Sequence, residues 1–258
     1  MIYYFSGTGN SLRVGRLLAE RLGEQLCPMT APTPTADDAI GLVFPVYAWG
    51  IPNVVEGFVR DFLKALPQKD SAFLYAVMTC GDDMGYADRV LEAALGRKLD
   101  AAFSVQMPNV YVCLPGFDVD SKEVSSEKLS RMEGRTSEIA GKVREREAAR
   151  QLVRGRFAWL KTYVLRPLFN RSLLTDRYFN VDASLCTSCA GCRKACPVGN
   201  IKMSDGTPKW QSHCAGCLAC YHACPHHAIN FGRMTQKKGQ FIYYLTIYYL
   251  LFIYDLTI

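Results

Sequence analysis

The N-terminus of this 258-residue chain lacks the features of an export signal. Met1 to Phe5 carry no basic region and no long apolar stretch, and the chain then enters a glycine-rich turn. We therefore expect a reducing, cytoplasmic location, in which cysteines remain thiols instead of forming disulfides. This expectation bears on most of the chemistry below, because the chain holds 11 cysteines.

The first glycine-rich loop also lacks two common nucleotide-binding motifs. The loop SGTGNS has no P-loop lysine and does not read GxGxxG, which argues against a nucleoside triphosphate or a dinucleotide. Its glycines allow the backbone to approach an anion, and its side chains and the following helix end offer hydrogen-bond donors. A monophosphate such as that of FMN suits this loop, and an ordinary tight turn is the alternative. The donor side chains are Ser6, Thr8, Asn10 and Ser11.

Eight of the cysteines form two identical runs near the C-terminus, each reading CxxCxxCxxxCP. This spacing indicates [4Fe-4S] clusters, because three close cysteines bind one cluster and the fourth, in the bacterial pattern, binds the other. Zinc also accepts all-thiolate sites but needs only four thiolates. A disulfide framework would require a secreted chain. The predicted crossed ligand sets are Cys186, Cys189, Cys192 and Cys224 for cluster I, and Cys214, Cys217, Cys220 and Cys196 for cluster II.

The other cysteines and the four histidines receive no ligand role. Cys27, Cys80 and Cys113 have no metal-binding spacing and are predicted to be buried thiols. The histidines lie beside the cysteine runs, where thiolates already fill every cluster position. They are His213, His222, His226 and His227.

The N-terminal half alternates strand-like and helix-like stretches, which predicts a five-stranded parallel sheet covered by helices. The second and third strands are joined by a proline-rich segment that is too short for a full helix. The predicted strands are Ile2 to Phe5, Leu26 to Met29, Ile40 to Tyr47, Ala72 to Thr79 and Ala101 to Met107. The predicted helices are Ser11 to Leu22, Asn53 to Leu66 and Tyr86 to Leu95.

Two further loops follow strands at the carboxyl edge of this predicted sheet, where doubly wound folds bind ligands. The first contains Tyr47 and Trp49, whose rings suit the sides of a flat cofactor. The second contains Gly81, Asp82 and Asp83, with Tyr86 close behind. A corner of the hydrophobic core is the alternative role for these aromatic residues.

These loops resemble, in order, the phosphate, aromatic and GD-containing loops of the flavodoxin family, over residues 1 to 106. The resemblance implies that Ser6, Thr8, Gly9, Asn10 and Ser11 bind the FMN phosphate. It also implies that Tyr47, Ala48, Trp49 and the backbone of Gly81, Asp82 and Asp83 surround the isoalloxazine. Two departures stand out: the stacking tyrosine of the family falls one position before Tyr86, and its helix after the second strand is missing here. Tyr47 and Trp49 are therefore the better stacking candidates.

The cysteine region resembles bacterial two-cluster ferredoxins, a small α+β fold, and the whole chain resembles flavodoxin–ferredoxin fusion proteins of anaerobic bacteria and archaea. The expected domains are residues 1–141 for FMN, a basic helical connector at 142–177, a ferredoxin domain at 178–233 and an apolar tail at 234–258. The connector carries ten Lys or Arg and three acidic residues. It predicts a helix that packs across both domains and ends at Pro167. Its solvated face would carry basic residues spaced four apart, and its other face an apolar stripe. These are Arg146, Arg150 and Arg154, and Val153, Phe157, Leu160 and Val164. The alternatives for the basic face are docking of an acidic redox partner or of nucleic acid.

The last 18 residues contain one charge, at Asp255, and are otherwise mostly apolar. Membrane contact, a sheet-forming or low-complexity extension, and a frame-shifted end are the three interpretations. For the protein as a whole we expect a cytoplasmic electron carrier with FMN and two [4Fe-4S] clusters that serves redox proteins, not nucleic acid. The alternatives are a flavin-dependent reductase of a small organic substrate, fed by the clusters, and an FMN-free ferredoxin with a docking domain.

Overall fold

The computed structural model describes residues 1–67 and 71–241. The described chain divides into two compact units, and both are discontinuous in sequence. The first unit comprises Met1–Ser6, Asn10–Asn109 and Ser121–Leu173. The second comprises Gly7–Gly9, Val110–Asp120 and the described residues from Leu174 onward.

A six-stranded, fully parallel sheet forms the centre of the described part of the first unit, with strand order β2-β1-β3-β4-β5-β6. The first five positions match the doubly wound flavodoxin order, so the predicted flavodoxin-like α/β fold is confirmed. All five predicted strands are present, and the sheet gains a short sixth that was not predicted. The strands are β1 (Ile2–Tyr4), β2 (Leu26–Pro28), β3 (Ala39–Pro45), β4 (Phe73–Cys80), β5 (Ala101–Gln106) and β6 (Arg150–Gln151).

Helices cover both faces of this sheet. The helices are α1 (Asn10–Leu22), α2 (Asn53–Asp61), α3 (Ala87–Leu95) and α4 (Lys122–Arg144), with a 3-10 turn at Leu63–Ala65. Successive residues of β1 point to opposite faces: Ile2 joins the core beneath α1 and α4, and the Tyr3 ring lies 5.0 Å from that of Phe58 in α2. As predicted, residues 29 to 38, all within the described range, form no helix.

Helix α4, with 23 residues, is the largest element that was not predicted. Its buried positions follow the helical spacing, at Met132, Thr136, Ile139, Ala140 and Val143. Ser121 caps its first turn by accepting a hydrogen bond from the Val124 N–H. The periodicity of these few apolar positions is therefore the signal that identifies the helix, even though its sequence is mostly polar.

The connector differs from the predicted helix in both its start and its end. Arg150 lies in β6 and Arg154 in the following loop, so the basic residues spaced four apart do not share a helix face. The helix is α5 (Ala158–Leu160), which continues through π-helical Lys161–Leu165 into α6 (Arg166–Ser172). Pro167 occupies the first turn of α6, where proline needs no N–H partner. The predicted stop at Pro167 is therefore wrong.

The second unit contains two small antiparallel sheets and two short helices among its described residues. Strands β7 (Phe179–Val181) and β10 (Ile229–Phe231) flank the cysteine region and pair with each other. Between the cysteine runs lies a hairpin of β8 (Ile201–Ser204) and β9 (Thr207–Trp210). Its turn places Asp205 and Gly206 at φ 50° and 74°, as an Asp-Gly hairpin turn requires. The short helices are α7 (Gly191–Ala195) and α8 (Ala219–His222).

Across residues 1–67 and 71–241, no helix has both the length and the apolar character needed to span a membrane. The predictions for the apolar end of the tail concern residues 241–258, and all of these except Phe241 lie outside the described residues.

Candidate functional site

The loop after β1 ends at the N-terminus of α1. Gly9 has φ 97°, a left-handed conformation that glycine adopts without strain, and α1 begins at the next residue. The first turn of α1 contains no acidic residue. The N–H groups of a first helical turn have no partner within the helix, and the positive end of the helix dipole lies there, so this end of α1 suits an anion.

The side chains of Asn10 and Ser11 point into the protein interior. The Asn10 Nδ2 donates to the Pro108 carbonyl oxygen at 2.9 Å, and its Oδ1 is buried without a hydrogen-bond partner. The Ser11 hydroxyl lies 2.7 Å from that of Thr79 and is 1% exposed. A phosphate at this loop would therefore meet the backbone N–H groups of both residues, while Ser6 and Thr8, which are half-buried, offer hydroxyls.

The aromatic loop after β3 is a tight turn with a left-handed backbone. Tyr47 and Gly50 exchange both backbone hydrogen bonds, each 3.0 Å long. The two residues between them, Ala48 and Trp49, have φ 44° and 59°. Non-glycine residues in this region cost about 1 kcal/mol each or more and tend to occur at functional sites. The turn holds the Trp49 backbone in one geometry.

A segment far away in sequence anchors this turn. Thr162, in the π-helical stretch, donates its hydroxyl to the Trp49 carbonyl at 3.1 Å and accepts the Tyr86 N–H at 2.9 Å. The Lys161 ammonium lies 5.5 Å from the Trp49 ring centroid and 2.6 Å from Asp83 Oδ2. Lys161 and Thr162 were not predicted as site residues, because no local pattern links them to loops about 75 to 115 residues earlier.

The third loop, Gly81 to Asp83, is fixed by neighbours on both sides. A Cβ atom on Gly81 would lie 3.0 Å from Asn109 Oδ1, so a larger residue there would crowd the loop. The Asp82 carbonyl accepts a 2.7 Å hydrogen bond from Gln106 Nε2. The carboxylate of Asp83 pairs with Lys161, whereas that of Asp82 is exposed. Backbone groups of this loop are therefore rigidly presented.

Tyr86 is covered by cations. The guanidinium carbons of Arg89 and Arg154 lie 4.2 Å and 4.7 Å from its ring centroid. Cation–π contacts of this kind stabilise the ring where it lies. Arg154 in turn forms two hydrogen bonds to the buried Asp88, at 2.8 Å and 2.9 Å. The ring of Tyr86 is thus engaged in the fold, in keeping with the preference for Tyr47 or Trp49 as stacking residues.

Seven of the eight run cysteines fall into two groups by their electrostatic interactions, which require proximity. Burial, with smaller contributions from the charges of Cys214 and Cys196, raises the pKa of the Cys217 thiol to about 12. The half-buried Cys214 and the buried Cys220 also interact with Cys196. In the other group, burial raises the pKa of Cys192 to about 11, with added effects from Cys224 and Cys189.

The two runs repeat their backbone as well as their sequence, at an offset of 28 residues. Three pairs of residues share the left-handed conformation at this offset. The pairs are Ser188 and Gly216, Ala190 and Leu218, and Gly199 and His227, with φ between 53° and 68°. Left-handed residues turn the chain sharply, so each run curls around its own centre.

Backbone N–H groups donate to the cysteine sulfurs. Asn200 donates to Cys196 Sγ at 3.2 Å and Ala228 to Cys224 Sγ at 3.3 Å, again at matching positions of the two runs. Gly216 donates to Cys214 Sγ at 3.3 Å. Hydrogen bonds to ligand sulfurs orient them and tune the cluster that they hold. The donor set, the backbone and these N–H groups all fit iron–sulfur clusters.

The described residues contain no group of three or more His, Cys, Asp or Glu side chains that could hold a single metal ion. A cubane cluster places iron and sulfide between its thiolates, and its ligands therefore lie further apart than those of a single ion. Two of the histidines have structural partners. His222 donates from Nε2 to the Val110 carbonyl, and its Nδ1 accepts the Phe241 N–H, while His227 bonds to the Tyr221 hydroxyl.

Comparison with known families gives two separate matches. A flavodoxin-domain model matches residues 1–112, and a model described as a 4Fe-4S dicluster domain matches residues 185–229. A search of curated proteins finds no match.

Solved structures are similar at low identity. Rubredoxin oxygen:oxidoreductase from the anaerobe Desulfovibrio gigas is 18% identical, with a TM-score of 0.34, over 54% of this chain and 35% of its own. The chain thus spans about a third of that protein. A putative flavoprotein from Bacteroides uniformis is 16% identical, with a TM-score of 0.31, over 50% of this chain and 96% of its own.

The fold, the cysteine sites and the family matches together define a redox protein that binds flavin and iron–sulfur clusters. More specifically, the chain is a fusion of a flavodoxin domain with a 4Fe-4S dicluster domain, as the sequence resemblance predicts.

Proposed function

We propose that this protein transfers electrons between one FMN and two [4Fe-4S] clusters and passes them to a redox partner. The observation that carries this proposal is the crossed grouping of seven run thiols, in which Cys196 joins the second run and Cys224 joins the first. The sequence spacing supplies Cys186 as the fourth ligand of cluster I. When bound, FMN exchanges electrons singly or in pairs and each cluster carries one, so the combination suits conversion between the two modes.

The crossed ligand sets are part of the proposal. Cys186, Cys189, Cys192 and Cys224 would hold cluster I, and Cys214, Cys217, Cys220 and Cys196 would hold cluster II. The raised pKa values of Cys192 and Cys217 mean that these thiols are protonated in the protein without clusters. Cluster binding must therefore displace protons, which makes assembly less favourable at low pH.

For FMN, the protein would supply backbone N–H groups to the phosphate and aromatic rings to the flavin. The α1 N-terminus, with Ser6, Thr8 and Gly9, would bind the phosphate. Tyr47 and Trp49 would flank the ring, and the backbone of Gly81, Asp82 and Asp83 would lie at its edge. The positions of Asn10 and Ser11 support a role through their backbone, because their side chains have partners within the fold.

Redox proteins are the proposed partners. The sequence of the connector suggests attraction to an acidic partner through its positive charge. Acidic residues of the same unit neutralise much of this charge, so the argument for an acidic partner is weakened. Arg150 pairs with Asp88 and Glu92, and Lys161 pairs with Asp83. Paired charges attract a partner less over distance. We therefore propose recognition through shape and local contacts more than through long-range steering.

Cofactor content tests the proposal directly. Anaerobic purification and reconstitution, followed by iron analysis and flavin release, should give about eight irons and one FMN per chain. Four or fewer irons, or stoichiometric zinc, would overturn the two-cluster assignment. Iron without flavin would overturn the FMN assignment. Turnover with small organic acceptors, in the absence of a redox protein, would favour a reductase over a carrier.

A further inference from the structure

The indole N–H of Trp210 is a buried donor without a hydrogen-bond partner among the described residues. A buried donor left unpaired costs about 1–3 kcal/mol, and such groups are rare enough in folded proteins to need an explanation. Trp210 is the last residue of β9, in the hairpin between the two cysteine runs. The donor therefore lies in the immediate surroundings of the predicted clusters.

The Trp210 ring is held by stacking. It lies parallel to the Phe179 ring, with centroids 5.2 Å apart and an interplanar angle of 11°. Phe179 itself meets Phe231 edge to face at 5.1 Å. Aromatic pairs of this kind contribute about 0.5–1.5 kcal/mol beyond their buried area, so the indole is fixed where it is and its N–H cannot turn to solvent.

The nearby acceptor is Cys220. This thiol is buried, and the Trp210 indole faces it from beyond hydrogen-bond distance. The end of β9 also lies beside the ligand set of cluster II, because the Asn200 carbonyl accepts the Gln211 N–H at 2.9 Å and the Asn200 N–H donates to Cys196 Sγ at 3.2 Å. A neutral thiol accepts hydrogen bonds weakly, which accounts for an unsatisfied donor. An iron-bound thiolate is negatively charged and accepts far more strongly. The missing partner would therefore be supplied when the cluster is bound.

The other cysteine run has no such donor. At the 28-residue offset, the counterpart of Trp210 is Asp182, and the counterpart of Cys220 is Cys192. Asp182 has only acceptor atoms when ionised, and its Oδ1 accepts from the Ser184 N–H and hydroxyl at 3.0 Å and 2.6 Å. The hydrogen bonds that act on Cys192 come from the backbone alone. The side-chain donor at position 210 therefore has no counterpart in the other half.

We propose that, with cluster II bound, the Trp210 indole donates a hydrogen bond to the Cys220 sulfur. This hydrogen bond makes the reduction potential of cluster II higher than it would be without the donor. The inference rests on the proposed function, because it requires cluster II to be bound by Cys214, Cys217, Cys220 and Cys196. The physical reason is that the reduced cluster carries one more negative charge, which a donor to its sulfur stabilises. Trp210 is accordingly a positioning and tuning residue.

Trp210→Phe tests this assignment, since it keeps an aromatic ring for stacking on Phe179 and removes the N–H. The matched control is Trp159→Phe, at a tryptophan that is 61% exposed. Iron content is measured first in the reconstituted full chain, and two clusters in the wild type are required. Anaerobic redox titration followed by EPR should then show one cluster shifted to lower potential in Trp210→Phe and none in Trp159→Phe. Fewer than two clusters in the wild type would refute the proposed function itself.

Two results with both clusters present would overturn the tuning role: unchanged potentials, or equal shifts of both clusters. A second measurement tests the proposal even if Trp210→Phe fails to bind cluster II. In wild-type protein with isotopically labelled indole nitrogen, pulsed EPR of the reduced state should detect coupling to an indole nitrogen, and Trp159→Phe should retain it. Absence of that coupling in the wild type would overturn the proposal without recourse to any Trp210 variant.

Discussion

Replacing Cys196 by Ala is expected to remove cluster II, although Cys196 belongs to the first cysteine run in sequence. The reason is spatial: the thiols of Cys214, Cys217 and Cys220 all interact with Cys196. Removing one of four thiolates leaves an incomplete ligand set. The iron content should therefore fall from about eight to about four per chain, because each cluster contains four irons.

The Cys196→Ala substitution is expected to have only a small effect on the stability of the fold. Within the protein, Cys196 Sγ accepts one hydrogen bond, from the Asn200 N–H at 3.2 Å, and such a bond contributes about 1 kcal/mol or less. The variant should thus remain folded and retain cluster I. Circular dichroism checks the fold, while iron analysis and EPR of the reduced protein identify the remaining cluster.

Two matched variants complete the test. Cys224→Ala should show the reciprocal loss of cluster I, with a different residual EPR spectrum. Cys113→Ala should keep both clusters, because Cys113 is a buried thiol that interacts with Cys214 but lies outside both runs. The crossed assignment is refuted if Cys196→Ala retains the cluster of the second run and loses that of the first.

Three other substitutions test the flavin edge and the fold around it. Trp49→Ala should weaken FMN binding about 3- to 10-fold in fluorescence titrations, as expected for a lost aromatic contact, with iron content unchanged; equal affinity would place the ring elsewhere. Asp88→Asn should lower the free energy of unfolding by about 2 kcal/mol in urea, because it breaks a buried pair with half-exposed arginines, whereas the exposed Glu127→Gln should change it by less than about 0.5 kcal/mol. Burial raises the pKa of Cys80 to about 12, so unfolding should release a proton above the thiol's unfolded pKa of about 8.5. Stability should then fall by up to about 1.4 kcal/mol per pH unit between those values; Cys80→Ala should lack this component, and identical pH slopes for both proteins would contradict it.

Much of the first unit follows from local sequence patterns. Continuous apolar runs identify β3 and β4, because a strand buried on both faces needs apolar residues at every position. The proline-rich segment after β2 excludes a helix there for a local steric reason. By contrast, β6 has only two residues, Arg150 and Gln151. This short strand forms because β5 has an open edge with which it can pair. The sequence of the two residues alone gives no sign of that pairing.

The connector shows how tertiary contacts override local signals. A proline after an apolar stripe favours a helix end, yet the helical segment continues to Ser172 because Pro167 falls in the first turn of α6. The π-helical stretch before it brings Thr162 to the Trp49 carbonyl and the Tyr86 N–H. π-helical turns often occur at functional positions. Partners so distant in sequence leave no mark in a local pattern.

The sequence alone determined the chemistry of the cysteine sites, because the number and spacing of thiolates limit which metal centre they can bind. It also determined the order of the three loops along the flavodoxin domain, because each loop follows a recognisable strand. Tertiary structure decided which donors are already used and which are free to act. Asn10 and Ser11 turn their side chains inward, while the Trp210 N–H is buried beside Cys220 without a partner. The physical reason is that hydrogen bonds depend on distance and angle between atoms, and the folding of separate segments sets both.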